Sequence, residues 1–421
     1  MTRKTRFGSA RVVSAAIGSS TLALALALAL ALALAGCSSD GVNSGSSSGS
    51  ITIGVIVNET GATAGPYSGS AEVAKAWAKW LNKTQGGVNG HTVRIVAKDD
   101  KGDAATATSL AREMVEREQA AAVLVQSAVA PTAISSYLAS KNIPMLGNDD
   151  GQKQPDSPKT WFTVQMGQPY ISESAALVAK DAGADSMVAA VCSEVAGCAA
   201  IGDQLKAYMP KIDSEYKGLV TIAGDSTSAT AQCLRVVKSG AKAVAAYIGI
   251  NPTKNMLESC RSQGFKGHFI QLASYDGLYQ QLDSDQLGVM YSFPWWSNAA
   301  PVKEYRDVMA EYAPVVNYKG SGPDATWASL KLFDYAMKKS GPAAESSVKG
   351  EDVIEAYQSA VKNVTLDGLL PQPITYAKSG NSTINCFWPM ESAKGGDYKT
   401  LQGSWTSGNG AKGDLASQCV E

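Results

Sequence analysis

The chain has 421 residues, with 37 Lys and Arg against 38 Asp and Glu, two His, and a formal net charge of −1. That balance, with no basic block beyond the N-terminus, argues against a nucleic-acid partner, which needs a positive footprint. Even with the first fifty residues set aside, the length suffices for two cores at roughly 100–200 residues per domain.

Chain order begins with a basic segment carrying Arg3, Lys4, Arg6 and Arg11 and no acid, followed by seven Leu-Ala pairs between Leu22 and Ala35. A helix of that sequence is apolar all round and seeks hydrocarbon. It falls short of the ~20 residues a bilayer span needs, which predicts an export signal over residues 1–36. Leu34-Ala35-Gly36-Cys37 resembles a bacterial lipobox. The resemblance implies cleavage before Cys37, acylation (diacylglycerol and palmitate-type chains) of that residue, and anchorage at the outer face of the plasma membrane. An uncleaved signal anchor, or an ordinary signal peptide with a chance cysteine, is the alternative. Residues 37–50, rich in Ser and Gly, read as a flexible tether. The GSSSG within it fits the nucleophile pattern G-x-S-x-G but lacks the strand-turn-helix context.

From Ile51 the pattern alternates. "ITIGVIV" (51–57) is a β-branched run suited to a strand buried on both faces. After a Gly-rich loop, Val73, Trp77, Trp80 and Leu81 form one helical stripe, with Ser70 placed to cap it. "HTVRIVAKDD" (91–100) predicts a second strand, and Asp103 a cap for a helix with the stripe Ala107, Leu110, Ala111, Met114, Val115. "AAAVLVQS" (120–127) and "IPMLGNDDG" predict two more strands around the helix "APTAISSYLASKN". A second series starts near Gly167, with strands expected at 186–192, 218–223, 241–250 and 268–274. From about Asn298 to Val361 the pattern is helical again. This alternation predicts two α/β lobes.

Six cysteines follow Cys37: Cys192, Cys198, Cys233, Cys260, Cys386 and Cys419. An even number in an exported chain points to disulfides rather than zinc, for which no C-x-x-C spacing exists. Pairing of sequence neighbours is the expectation, although six cysteines allow 15 connectivities. His91 and His268 stand outside any ligand-spaced cluster, and Asp99-Asp100 reads as turn capping; no metal and no cofactor are expected.

The stretch "ETGATAGPYSGSAEVAKAWAKWLNKTQGGVNGHTVRIVAKDDKGDAATATSLAREMVE" resembles the opening of branched-chain amino acid-type substrate-binding proteins of ABC importers. The shared features are a T-G…G loop before the first helix, an asparagine late in it, GG-x-x-G before the second strand, and the D-D after it. "KNIPMLG" matches as well. The resemblance runs over nearly the whole chain after position 50 and is most specific in its N-terminal third. It implies a type I periplasmic-binding-protein fold, a Venus-flytrap of two doubly wound lobes joined by a three-crossover hinge. The lobes are expected at 51–166 with 296–364, and at 167–295 with 365–421. It further implies a monomeric, non-enzymatic receptor that binds a small molecule by hinge closure and hands it to ABC permease subunits. Open parallel sheets do bind ligands beyond their strand C-termini, where helix N-termini offer N–H groups.

Each candidate ligand residue has a plainer alternative. Tyr67 and Ser68 sit in the first strand-helix loop, for stacking and donation, or as ordinary loop residues. Ser127 matches the hydroxyl the family places on a ligand carboxylate; it could equally cap the next helix. Asn148, Asp149 and Asp150 depart from the family, whose amino acid binders show small hydroxylated residues there. Two carboxylates would repel an anionic group unless paired, which tilts the ligand toward amides, hydroxyls or cations. Asn251, Tyr275 and Asp276 follow strands of the second lobe, and Asp276 roughly matches the acid that takes a ligand ammonium. Trp295-Trp296 fall where the chain should cross between lobes; adjacent residues of an extended segment point oppositely, so one is expected to line the cleft, the alternative being hinge packing. The expected ligand is a polar or aromatic-containing small molecule such as an amino acid or amide. Rival functions are a ligand sensor without transport and an envelope-anchored hydrolase; scarce histidine and the missing nucleophile elbow weigh against the latter.

Overall fold

In the computed structural model, residues 49–61, 63–148, 160–194, 196–282, 285–344, 346–394, 396–403 and 405–420 are described. Cys37, the signal segment, nearly all of the tether, and Asp149 and Asp150 lie outside them.

The first sheet is built from β1 (Ser50–Val57), β2 (Thr92–Asp99), β3 (Ala122–Gln126), β4 (Met145–Leu146) and β5 (Trp161–Phe162), in the order β2-β1-β3-β4-β5. All neighbours run parallel, with Ile53 of β1 beside Ile95 of β2 and Ala122 of β3. Both faces are covered, so β1 is buried from Ile51 to Val57, as its unbroken apolar run requires. Helices α1 (Ser70–Gln85), α2 (Ala104–Arg112) and α3 (Ala130–Ser140) make the crossovers. Trp77 and Leu81 of α1 are fully buried. The start of α1 differs from expectation: Ser70 lies inside the helix, donating to the Tyr67 carbonyl, while Gly69 takes the cap position at φ 93°. The capping is done by Glu59, whose carboxylate accepts from the N–H groups of Gly69 and Ala71 at 2.9 and 3.0 Å. A carboxylate there also complements the helix dipole. Asp103 caps α2 as its position predicts, accepting from Thr106 N–H.

The asparagine late in α1 has a structural role. Asn82 exchanges two hydrogen bonds with the Val93 backbone, at 2.8 and 2.9 Å, fixing α1 on β2. Gly87, at φ 84°, comes so close to the His91 carbonyl that a Cβ would lie 1.9 Å from it, so the turn demands glycine. His91 itself is buried, its ring nitrogens at the carbonyls of Gly49 and Ala343.

The second sheet is mixed, a parallel part extended along one edge by antiparallel strands. Its parallel part comprises β6 (Ser186–Cys192), β7 (Glu215–Ile222), β8 (Ala243–Tyr247), β9 (His268–Gln271) and β10 (Gln286–Met290). Crossovers α4 (Gln168–Asp181), α5 (Ala196–Tyr208), α6 (Thr230–Ser239), α7 (Ile250–Ser262) and the single turn α8 (Asp276–Tyr279) serve it. Helices α9 (Ala300–Tyr312), α10 (Ser321–Ser340) and α11 (Gly350–Ala360) return to the first sheet, with α9 and α10 packed on α1. The chain then forms the small ribbon β11 (Tyr376–Ala377) and β12 (Gly380–Asn381), and extends the second sheet with antiparallel β13 (Cys386–Ser392), β14 (Tyr398–Thr400), β15 (Thr406–Ser407) and β16 (Gln418–Cys419). Disulfides join Cys192 to Cys198, Cys233 to Cys260 and Cys386 to Cys419, the pairing of sequence neighbours. No helix among the described residues is long and apolar enough to cross a membrane.

Candidate functional site

A cavity of about 500 Å³ opens where the C-terminal ends of the two sets of parallel strands meet. The first sheet contributes the β1–α1 loop with Thr63, Pro66 and Tyr67, the start of α3 with Ala128, Pro131 and Thr132, and Asn148 after β4. The second contributes Cys192, Glu194 and Cys198 at and beyond the end of β6, Ile222 and Gly224 at and beyond that of β7, the run Tyr247–Pro252 from the last residue of β8 onward, and Ala273 and Tyr275 after β9. Gln168 at the start of α4 lies between them. The beginnings of α3, α5 and α7 thus converge on one space, and helix N-termini carry partial positive charge and N–H groups. Among the described lining residues, Glu194 is the sole charged side chain. Neutral donors and acceptors, two isoleucine-bearing loops and three tyrosines make up much of the rest, a surface for a small ligand with a polar end and an apolar body.

Of the residues singled out in the sequence, the cavity brings together Tyr67, Asn148, Asn251 and Tyr275. Tyr275 is 6 % exposed, and burial pushes its phenol above the ordinary range. Ser68 is exposed on the loop and is not among the lining residues. Ser127 is wholly buried and occupied: its hydroxyl donates to Asp100 and accepts from the N–H groups of Val129 and Ala130. It serves the helix start and an acid beneath it, the plainer of its two readings. Burial lifts the Asp100 carboxyl above the usual range, and the Ser127 hydroxyl and Gly102 N–H oppose that lift. Asp99 accepts from Glu59, Thr60 and Lys101 and caps the turn after β2.

Asp276 and the tryptophan pair are also placed differently from expectation. The Asp276 carboxylate accepts from the Tyr398 hydroxyl at 2.6 Å and from Gln280 at 3.3 Å, outside the cavity lining. Neither Trp295 nor Trp296 lines the cavity. Their rings meet edge to face at 5.0 Å, and both pack on Tyr398, at 5.2 and 5.4 Å. The ring they pack on, Tyr398, comes from β14. Lining residues missed in the sequence include Glu194, Gln168, Thr132 and Tyr247. Glu194 and Tyr247 were open to discovery: each sits at or just beyond the end of an apolar strand, where such sheets bind ligands.

No group of metal-ligating side chains stands together among the described residues. No curated protein matches the sequence. Among solved structures, the chain is similar to a leucine-binding protein from Thermotoga maritima, at 16 % identity and TM-score 0.67, over 84 % of this chain and 98 % of that one. It is similar also to a fatty acid ABC transporter substrate-binding protein from Thermomonospora curvata (15 %, TM-score 0.71, 84 % and 92 %). A third is a solute-binding protein of an ABC transporter from Rhodopseudomonas palustris, in complex with 3,4-dihydroxybenzoic acid (15 %, TM-score 0.64, 83 % and 95 %). At these identities the likeness shows the two-lobed type I fold. The family model described as periplasmic binding protein matches residues 50–397. With the two sheets, the cavity at their strand ends and that match in hand, the chain belongs to the periplasmic binding protein family.

Proposed function

We propose that this chain is the extracytoplasmic receptor of an ABC importer. It captures a small solute, an amino acid, an amide or a related compound, between its lobes and delivers it to the permease by hinge closure. The observation that carries this reading is the convergence of loops from both sheets, with three helix starts, on one cavity of about 500 Å³. A ligand touching both walls favours the closed arrangement by its differential affinity. The similar structures named above were obtained for proteins of leucine, of fatty acids and of a dihydroxybenzoate, so ligands with an apolar body and a polar end are the class to try. Binding rather than chemistry is favoured because the two lining cysteines are tied in a disulfide and offer no thiol nucleophile.

The lobes are taken as 51–166 with 296–364, and 167–295 with 365–421, acting as a monomer. Cys37 is taken as the lipid-bearing residue at the outer face of the plasma membrane. A thermal-shift screen of the full chain in detergent, against amino acids, amides, polyols, sugars and aromatic acids, tests the receptor reading. A ligand at a hundred times its Kd stabilises by about 2.7 kcal/mol. Recovery of that ligand intact supports a receptor; its consumption would return the hydrolase reading, and silence across the library would sink a small-molecule role.

A further inference from the structure

The β6–α5 loop presents an exposed carboxylate to the cavity and ties it to two backbone N–H groups. Glu194 stands two residues beyond β6, and its two oxygens accept from backbone N–H groups of different loops, Ser193 on its own and Gly224 after β7. The Cys192–Cys198 disulfide closes the loop across a separation of six residues, and both of its cysteines line the cavity with Glu194. Gln168 adds a further tie, donating to the Gly197 carbonyl at 3.0 Å. Those bonds fix the direction of the carboxylate and leave lone pairs on each oxygen for a ligand. The acid that the family pattern would assign to a ligand ammonium, Asp276, is already engaged by Tyr398 and Gln280.

We infer that Glu194, clamped by the disulfide-closed loop and the Gly224 N–H, is the specificity-determining charge of the cavity, selecting solutes that carry a protonated nitrogen. The inference rests on the receptor reading and deepens it. A single fixed negative charge, with no Lys or Arg among the described lining residues, attracts an ammonium or guanidinium group. It penalises a carboxylate that has no such partner, which is discrimination by repulsion as well as by contact. A carboxylate elsewhere on the same ligand remains compatible, because the helix starts on the facing walls supply partial positive charge.

The test uses the full chain in detergent and matched probes: leucine against 4-methylpentanoate, phenylalanine against 3-phenylpropionate, and phenethylamine. Calorimetry should show that only probes with an amino group bind the native chain. Glu194→Gln, which keeps an acceptor for Gly224, should weaken them about tenfold and narrow the gap to their amine-free partners. Should that variant fail to fold, Glu194→Asp retains the charge one methylene further back and should show a reduced preference for the amino-bearing partner. Equal binding of both members of a pair, a preference unchanged by either variant, or no binding by any amino-bearing probe overturns the inference. A sugar, polyol or amine-free acid found in the wider screen would then leave the receptor standing without this selectivity; a wider screen that is also silent removes both.

Discussion

Asp324 stands in the first turn of α10, fully buried, with neither carboxylate oxygen hydrogen-bonded among the described residues. Burial holds its carboxyl well above the usual range, beside the buried Tyr305 and the half-buried Tyr318. An unfolded Asp releases its proton near pH 4 while the folded one retains it. The stabilising contribution is therefore complete below about pH 4 and is lost as pH rises toward the folded value, by about 1.4 kcal/mol per pH unit. Asp324→Asn removes that slope, so in calorimetry the melting temperature of the variant should gain on the native chain from pH 4 to pH 7; a constant difference would refute the account. The Asp276–Tyr398 bond makes a second case. Tyr398→Phe deletes the hydroxyl and leaves a 9 % exposed carboxylate with Gln280 alone. Urea unfolding should register a loss of about 1–3 kcal/mol, and no loss would mean that water or another donor replaces the hydroxyl. Ser127 and Asp276 show what the sequence hid at this scale. Their identities suit a ligand as well as an internal partner, and the partners, Asp100 and Tyr398, lie 27 and 122 residues away.

The elements were legible in proportion to how simple their surroundings are. β1, β3, β6 and β8 are parallel strands covered on both faces, so they read as continuous apolar runs bounded by turns. β10 and β13 to β16 were not read. β10 stands between a parallel and an antiparallel neighbour, the others pair antiparallel, and β13 carries Pro389 opposite Val289, a residue that argues against an interior strand. For the tryptophan pair the sequence leaves cleft lining and packing open, because the ring it packs on comes from β14, about a hundred residues further along the chain. The disulfides divide their work by element. Cys233–Cys260 links α6 to α7 over 27 residues, and Cys192–Cys198 closes a loop on the cavity. On loop-closure entropy, the first contributes about 3–4 kcal/mol and the second about 2 kcal/mol. Replacing Cys233 and Cys260 by Ser should lower the melting temperature and leave ligand affinity nearly unchanged. Replacing Cys192 and Cys198 should cost less stability and weaken affinity more; the reverse ranking would remove the loop from the binding site.

At the scale of the molecule, the proposed hinge closure depends on contacts between the lobes beside the cavity. The β1–α1 loop belongs to the first sheet and Tyr275 to the second, and they touch beside the cavity. A Cβ placed on Gly65 would lie 2.6 Å from the Tyr275 hydroxyl oxygen and 2.7 Å from its Cζ. Tyr275 cannot retreat freely, because its backbone pairs with Gly320 and the next N–H, that of Asp276, donates to Lys319 at 2.9 Å. A methyl group at position 65 therefore pushes the lobes apart or displaces the ring from the cavity wall. Gly65→Ala should reduce the population of the closed arrangement, and apparent affinity falls in proportion to that population. A loss of about tenfold corresponds to ~1.4 kcal/mol in the open–closed balance. Small-angle scattering separates the two routes. With saturating ligand, a radius of gyration above that of the native complex would show lobes held open. An unchanged radius with weakened binding would place the effect on the Tyr275 ring alone, and an unchanged affinity would mean that this contact plays no part in closure.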